Sequence, residues 1–202
     1  QPKKSFARAI SQEPEKLREY AVEFARECKK LHSTQCDTSL FKPAAARFHD
    51  ALEKTTAFDD AEKARISAFI ESVPETTTCT HGDLHIGNLI TNGEKNFWID
   101  LSAFAYGNPL FDIGMFYLVS HGKSEELTQR LFHISNAQIM EVWQIFVSEY
   151  FGSAETLESV DAKVRPFAAL MVVLFTTWGV AKDDIIAFAK EVFSEALGQT
   201  AL

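Results

Sequence analysis

Apolar residues recur at helical spacing through most of the chain and at strand spacing in one short stretch only. Leu17, Tyr20, Ala21, Phe24, Cys28 and Leu31 share one face of a helix predicted over 14–32, with Pro14 suited to its first turn and Lys29 and Lys30 to its last. Segments 43–55 and 60–72 repeat the pattern, with Phe48, Leu52, Ile66, Phe69 and Ile70 as core candidates. Pro74 ends it. The β-branched run 76–80 then predicts a brief strand, Leu89-Ile90-Thr91 a second, and Phe97-Trp98-Ile99 a third, with Asn92-Gly93 as turn signal between the last two. Helical spacing returns over 109–120, 124–133, 136–150, 156–181 and 183–197, opened by Asn108 as N-cap before Pro109. Pro166 is expected to kink or split the fourth of these. The pattern predicts an α+β lobe: mainly helical, with a small antiparallel hairpin region around residues 76–100.

A length of 202 residues admits one large domain or two small ones, and 46% hydrophobic with 24% charged residues is ordinary globular composition. A net charge of −8 speaks against a nucleic-acid binder. Cys28, Cys36 and Cys79 form neither a C-x-x-C pair nor an even set, so reduced thiols and a cytoplasmic location are expected. The longest apolar run, 168–181, falls short of the ~20 residues of a membrane span and reads as a core helix. No membrane partner or signal peptide is expected. Because the chain starts at Gln1 without Met, its true N-terminus is expected to lie upstream.

The candidate chemistry gathers at the hairpin. Asp83 and Asn88 lie in a loop that also holds Gly82 and Gly87, and Asp100 ends the returning strand. A turn centred on Glu94 would pair positions summing to 188 and set Asn88 opposite Asp100, with Cβ atoms about 4.5–5.5 Å apart. An amide oxygen and a carboxylate at that distance suit magnesium completed by water and phosphate. A tighter turn at Asn92-Gly93 would break this register. Asp83, offset along the loop, stands where a base would accept the proton of an attacking hydroxyl.

The segment His81-Gly82-Asp83-Leu84-His85-Ile86-Gly87-Asn88 resembles the H-G-D-x-x-x-x-N loop of the aminoglycoside phosphotransferase and choline kinase-like family, itself similar to the protein-kinase loop. Ile99-Asp100 followed by Gly107-Asn108-Pro109-Leu110-Phe111-Asp112 resembles that family's second signature, and Leu31-His32 its usual Leu-His pair. The resemblance implies the mainly helical C-terminal lobe of a protein kinase-like fold. It implies a small-molecule kinase that uses ATP and Mg2+ and phosphorylates a hydroxyl acceptor. Asp83 would be catalytic base, Asn88 and Asp100 metal ligands, and Ile90 and Ile99 the apolar contact beneath adenine. His85 would face the γ-phosphate, His81 would brace the loop, and Asp112 would hold the loop backbone.

Two departures bear on this. Ile86 stands where the class usually has Pro, which is expected to loosen the loop. No glycine-rich loop and no strand-borne Lys paired with a helix Glu in the manner of the family is found, so the N-terminal nucleotide-clamping lobe is expected to be absent from 1–202, the chain alone to be inactive, and an apolar strip at Phe6, Ile90 and Ile99 to be open to self-association. Simpler readings stand beside these: a solvated His85, a helix-end His32, and a solvated acidic face at Asp183, Asp184, Glu191 and Glu195. The rival functions are a kinase-like non-catalytic binding module and, lower, a metal-dependent phosphoesterase suggested by Asp83-Leu84-His85. The acceptor itself is not read from sequence.

Overall fold

A computed structural model describes residues 3–195. Strand β1 (Lys4–Ser5) leads into α1 (Phe6–Gln12), and a 3-10 turn at Pro14–Lys16 leads into α2 (Leu17–Ser33), α3 (Ala44–Lys54) and α4 (Asp60–Ser72). Short strands β2 (Cys79–Thr80), β3 (Leu89–Thr91), β4 (Asn96–Trp98) and β5 (Ala105–Tyr106) follow. Then come α5 (Leu110–Ser120), α6 (Glu125–Phe132), α7 (Asn136–Phe151), α8 (Leu157–Thr177) and α9 (Asp183–Glu195). The fold is the mainly helical α+β lobe read from the sequence. Among the described residues no helix is long and apolar enough to cross a membrane.

Three points differ from the sequence reading. Phe6–Gln12 is a helix, capped by Ser5 Oγ accepting from Arg8 N–H at 3.1 Å, and it folds Phe6 and Ile10 into the core. Phe6, expected in an open apolar strip, is therefore buried edge-on against Tyr20. Pro166 does not split its helix, since α8 is continuous across it. The last predicted helix is seen over Asp183–Glu195, and 196–197 lie outside the described residues. Strand pairing also extends beyond 76–100: β1 joins β3 and β4 in one antiparallel sheet, and β2 pairs with β5 in another.

Helix α5 explains how the lobe is organised. Six consecutive residues, Phe111 to Phe116, are buried, as expected of a helix enclosed on every side. Ile113 and Phe116 belong to a core with α1, α2, α7, the loop residues Leu84 and Ile86, and Leu89 of β3. Phe111 and Met115 belong to a second core with α3, α4, α8 and α9. Gly114 lets α5 and α8 approach closely: a Cβ there would come within 2.6 Å of the Phe167 backbone carbonyl carbon. Gly114→Ala is expected to lower stability by about 1–3 kcal/mol, because the obstacle is main chain that cannot rotate aside. Urea unfolding measures this, and a wild-type midpoint would contradict the close packing.

The hairpin register departs from the expected one. Leu89 pairs with Trp98, Ile90 with Phe97 and Thr91 with Asn96, so paired positions sum to 187, not 188. The cause is the tip. Asn92 Oδ1 accepts from the amides of both Glu94 (3.0 Å) and Lys95 (2.8 Å), and Gly93 takes φ +90°, closing a tight Gly93-Glu94 turn. Asn88 consequently lies opposite Ile99, whose N–H donates to the Asn88 carbonyl at 3.0 Å, and is not opposite Asp100. By strand alternation Asn88, Ile90, Phe97 and Ile99 share one face, while Leu89 and Trp98 face the core.

Candidate active site

The loop between β2 and β3 is held by a buried carboxylate. Asp112, in the first turn of α5, is wholly buried; its Oδ1 accepts from Gly82 N–H at 2.7 Å and its Oδ2 from His81 N–H at 2.6 Å. Oδ2 also accepts from His32 Nε2–H at 3.0 Å, and His32 Nδ1 pairs with the Tyr150 hydroxyl at 2.8 Å. Burial alone pushes the Asp112 carboxyl up, but the His32 bond and the two amides hold it below the ordinary carboxylate range. The loop-holding place given to Asp112 by the resemblance corresponds to these contacts. Its connection to His32 and Tyr150 was not read from the sequence.

His81 is buried beneath the loop. Its Nδ1 accepts from Asp83 N–H at 3.2 Å, so Nε2 carries the proton and donates to the Ile99 carbonyl at 2.9 Å. The ring thereby ties the loop to the end of β4, with Trp98 edge-on at 5.2 Å. Gly82 is required where it stands: its φ is +86°, and a Cβ would come within 2.1 Å of the Ala103 carbonyl oxygen. Ile86, expected to loosen the loop, instead plugs into the core, and its carbonyl accepts from Ala7 N–H at 3.2 Å.

Asp83 projects from this frame half-buried. Its Oδ2 accepts from Asn88 Nδ2 at 3.1 Å and lies 3.5 Å from His85 Nε2. Asn88 Nδ2 also donates to the Asp83 carbonyl at 2.9 Å. Burial pushes the Asp83 carboxyl up, but His85, Asn88 and the nearby His81 together bring it below the usual range. His85 is oriented by Gly87 N–H, which donates to its Nδ1 at 3.1 Å, so its Nε2 carries the proton on the Asp83 side.

Asp100 leaves the ladder altogether. It adopts a left-handed conformation (φ 56°, ψ 57°), uncommon for a residue other than glycine, and among the described residues its exposed carboxylate engages the Ser102 hydroxyl alone, at 3.1 Å through Oδ1. The donor set suits magnesium. With Asn88 Nδ2 turned to Asp83, Asn88 Oδ1 is left for a cation, and Asp100 offers a carboxylate oxygen with no protein donor. Among the described residues no three His, Cys, Asp or Glu side chains form a self-sufficient metal site, so a cation here would take the rest of its shell from water and phosphate. Ile90 is half-buried, and Ile99 and Phe97 are exposed on the same hairpin face.

The buried groups imply a two-stage acid response. Burial pulls the His81 pKa below 6.5, only partly opposed by Asp112, so below that value the unfolded chain takes a proton first and stability falls. Asp112, lowered from 3.8, stabilises fully above that value and loses its contribution as pH falls towards its folded pKa. The thermal midpoint should drop gently from about pH 7 to 5 and steeply below about pH 4. A flat midpoint from pH 7 to 5 would count against a buried neutral His81.

The profile of the phosphotransferase enzyme family matches residues 1–145. No curated protein matches the chain. Solved structures to which it is similar include LicA in complex with AMP (TM-score 0.49, 11% identity, 95% of this chain and 65% of that one). Others are a choline/ethanolamine kinase family protein from Mesorhizobium loti (0.43, 16%, 97% and 66%) and a glucosamine kinase (0.41, 9%, 98% and 61%). The chain thus spans just under two thirds of the length of these structures.

Proposed function

The chain belongs to the phosphotransferase enzyme family, and from that premise we propose that it carries the base and metal ligands of a kinase that transfers the γ-phosphoryl group of ATP to a hydroxyl of a small molecule. The observation that carries this reading is the single loop in which a half-buried, ionised Asp83 is bonded to the Asn88 amide while the backbone behind it is fixed by Asp112. Core packing does not need an ionised carboxylate aimed outward from so heavily tethered a loop.

Asp83 would orient the acceptor hydroxyl for in-line attack on the γ-phosphorus and receive its proton as the bond to ADP breaks. A carboxyl held below the ordinary range is a weak base, so the proton moves late, once bond formation to phosphorus has acidified the hydroxyl. Asn88 and Asp100 would hold magnesium, whose charge would be supplied to the phosphate oxygens. His85 would steady Asp83 and face the incoming phosphate, and Ile90, Ile99 and Phe97 would give adenine an apolar floor. The glycine- and lysine-bearing half of the nucleotide site would come from outside these 202 residues, so the chain alone is expected to be inactive and to self-associate through the exposed Phe97–Ile99 face.

The test is Mg-dependent ADP release by the full-length protein across a panel of amino alcohols, sugars and amino sugars. The expected result is stimulation by one class, with 31P NMR showing a phosphate ester on that acceptor. Failure to bind Mg-ATP together with no transfer to any acceptor would overturn the reading.

A further inference from the structure

One cation lies on the apolar side of α3. Arg47 shares a helix face with buried Ala44 and Ala51, whose small side chains leave its stem free to run inward. Nη1 donates to the Gly82 carbonyl at 2.7 Å, Nη2 reaches Met171 Sδ of α8 at 3.8 Å, and the guanidinium lies 4.8 Å from the centre of the Phe48 ring. Nε is wholly buried and has no partner among the described residues. Both bonded partners are neutral, a carbonyl and a thioether, so this arginine is not held by an ordinary ion pair. A guanidinium keeps its charge even when buried, and desolvating it is costly. Solvating one carbonyl would not require placing such a group here.

What it grips suggests the reason. Gly82 N–H is held by Asp112 and the Gly82 carbonyl by Arg47, and any Cβ added at Gly82 would collide with the Ala103 carbonyl oxygen. The Gly82–Asp83 peptide is closed at its other end by Asp83 N–H donating to His81 Nδ1. Arg47 is the member of this clamp that comes from α3, which packs in the second core; His81 comes from the loop itself, Ala103 from the turn after β4 and Asp112 from α5.

We propose that Arg47 is a positioning residue for Asp83. Its planar fork fixes the peptide plane that carries the base and couples the loop to α3 and α8. The catalytic part of this rests on the kinase reading above; the mechanical part does not. A Lys could keep the bond to Gly82 but not the fork that also reaches Met171 and packs on Phe48, so the two residues should differ measurably.

The test compares Arg47→Lys, Arg47→Met and Arg47→Gln with wild type by amide hydrogen exchange and, in the full-length enzyme, by steady-state kinetics. In Arg47→Met the Gly82 and Asp83 amides should exchange about tenfold faster or more, while amides in the middle of α5 and α8 keep wild-type rates. Arg47→Lys should recover part of the protection. In turnover, kcat should fall with KM for Mg-ATP unchanged, again partly rescued by Lys. If Arg47→Met does not fold, Arg47→Gln, which keeps a donor but loses the fork, is read in the same way. Wild-type protection at Gly82 and Asp83 in a folded Met or Gln variant overturns the proposal. Absence of transfer by the wild-type enzyme would instead remove the kinase reading, with the exchange result still deciding whether Arg47 holds the loop.

Discussion

Asp83→Asn is expected to remove nearly all phosphotransfer while leaving Mg-ATP affinity close to wild type. The substitution keeps the shape of the side chain and an oxygen to accept from Asn88 Nδ2, so the loop should hold its course. The backbone clamp at His81 and Gly82 depends on Asp112 and does not involve the 83 side chain. What is lost is the group that receives the acceptor proton, a contribution of about 10²–10⁴ in rate. Because that group acts on the acceptor and not the nucleotide, the loss should fall on kcat, with nucleotide binding read separately by titration calorimetry. Near-normal turnover in Asp83→Asn would overturn the assignment of this loop.

Asp112→Ala should have the largest effect on stability. It strands two buried amides, at His81 and Gly82, and leaves His32 Nε2 without its acceptor. Each buried donor left unpaired costs about 1–3 kcal/mol, and three of them together are a large share of the stability of a domain of this size. Chemical denaturation would read this, with the exposed Asp184→Ala as control for charge removal alone. If the two variants unfold at the same denaturant concentration, the carboxylate is not the anchor of the loop.

The long helices were legible because a stripe at 3.6-residue spacing survives any reading frame, whereas α1 has only seven residues and too little pattern to separate from a strand. The hairpin was legible as an element but not in register. Moving paired positions from a sum of 188 to 187 depended on Asn92 closing the tip with its own side chain, which alternation cannot report. Within the site, Asp83, Asn88, His81 and Asp112 lie in two short motifs that sequence reading singles out, and the fold brings them together. His32, Arg47 and Tyr150 were not given their roles, because only tertiary packing brings them to the loop. Signals for two of them existed: His32 continues the buried stripe of α2 four residues after Cys28, and Arg47 interrupts the apolar face of α3 between Ala44 and Ala51. A polar residue on such a face asks for a partner across the core.

The anchorage of the loop to α5 also bears on how such a protein could be controlled. Asp112 belongs to a helix enclosed by both cores and pressed against α8 at Gly114, so its carboxylate has no surface motion to borrow. Segments bonded to the most protected part of a fold open only once those bonds break. On the kinase reading, the backbone that carries the base is thus fixed like an anvil: an effector that displaced it would first have to break the Asp112 and Arg47 contacts that hold Gly82. Throttling of turnover would fall to whatever closes over the Ile90–Ile99 face, where the moving parts can be exchanged without loosening the block they strike.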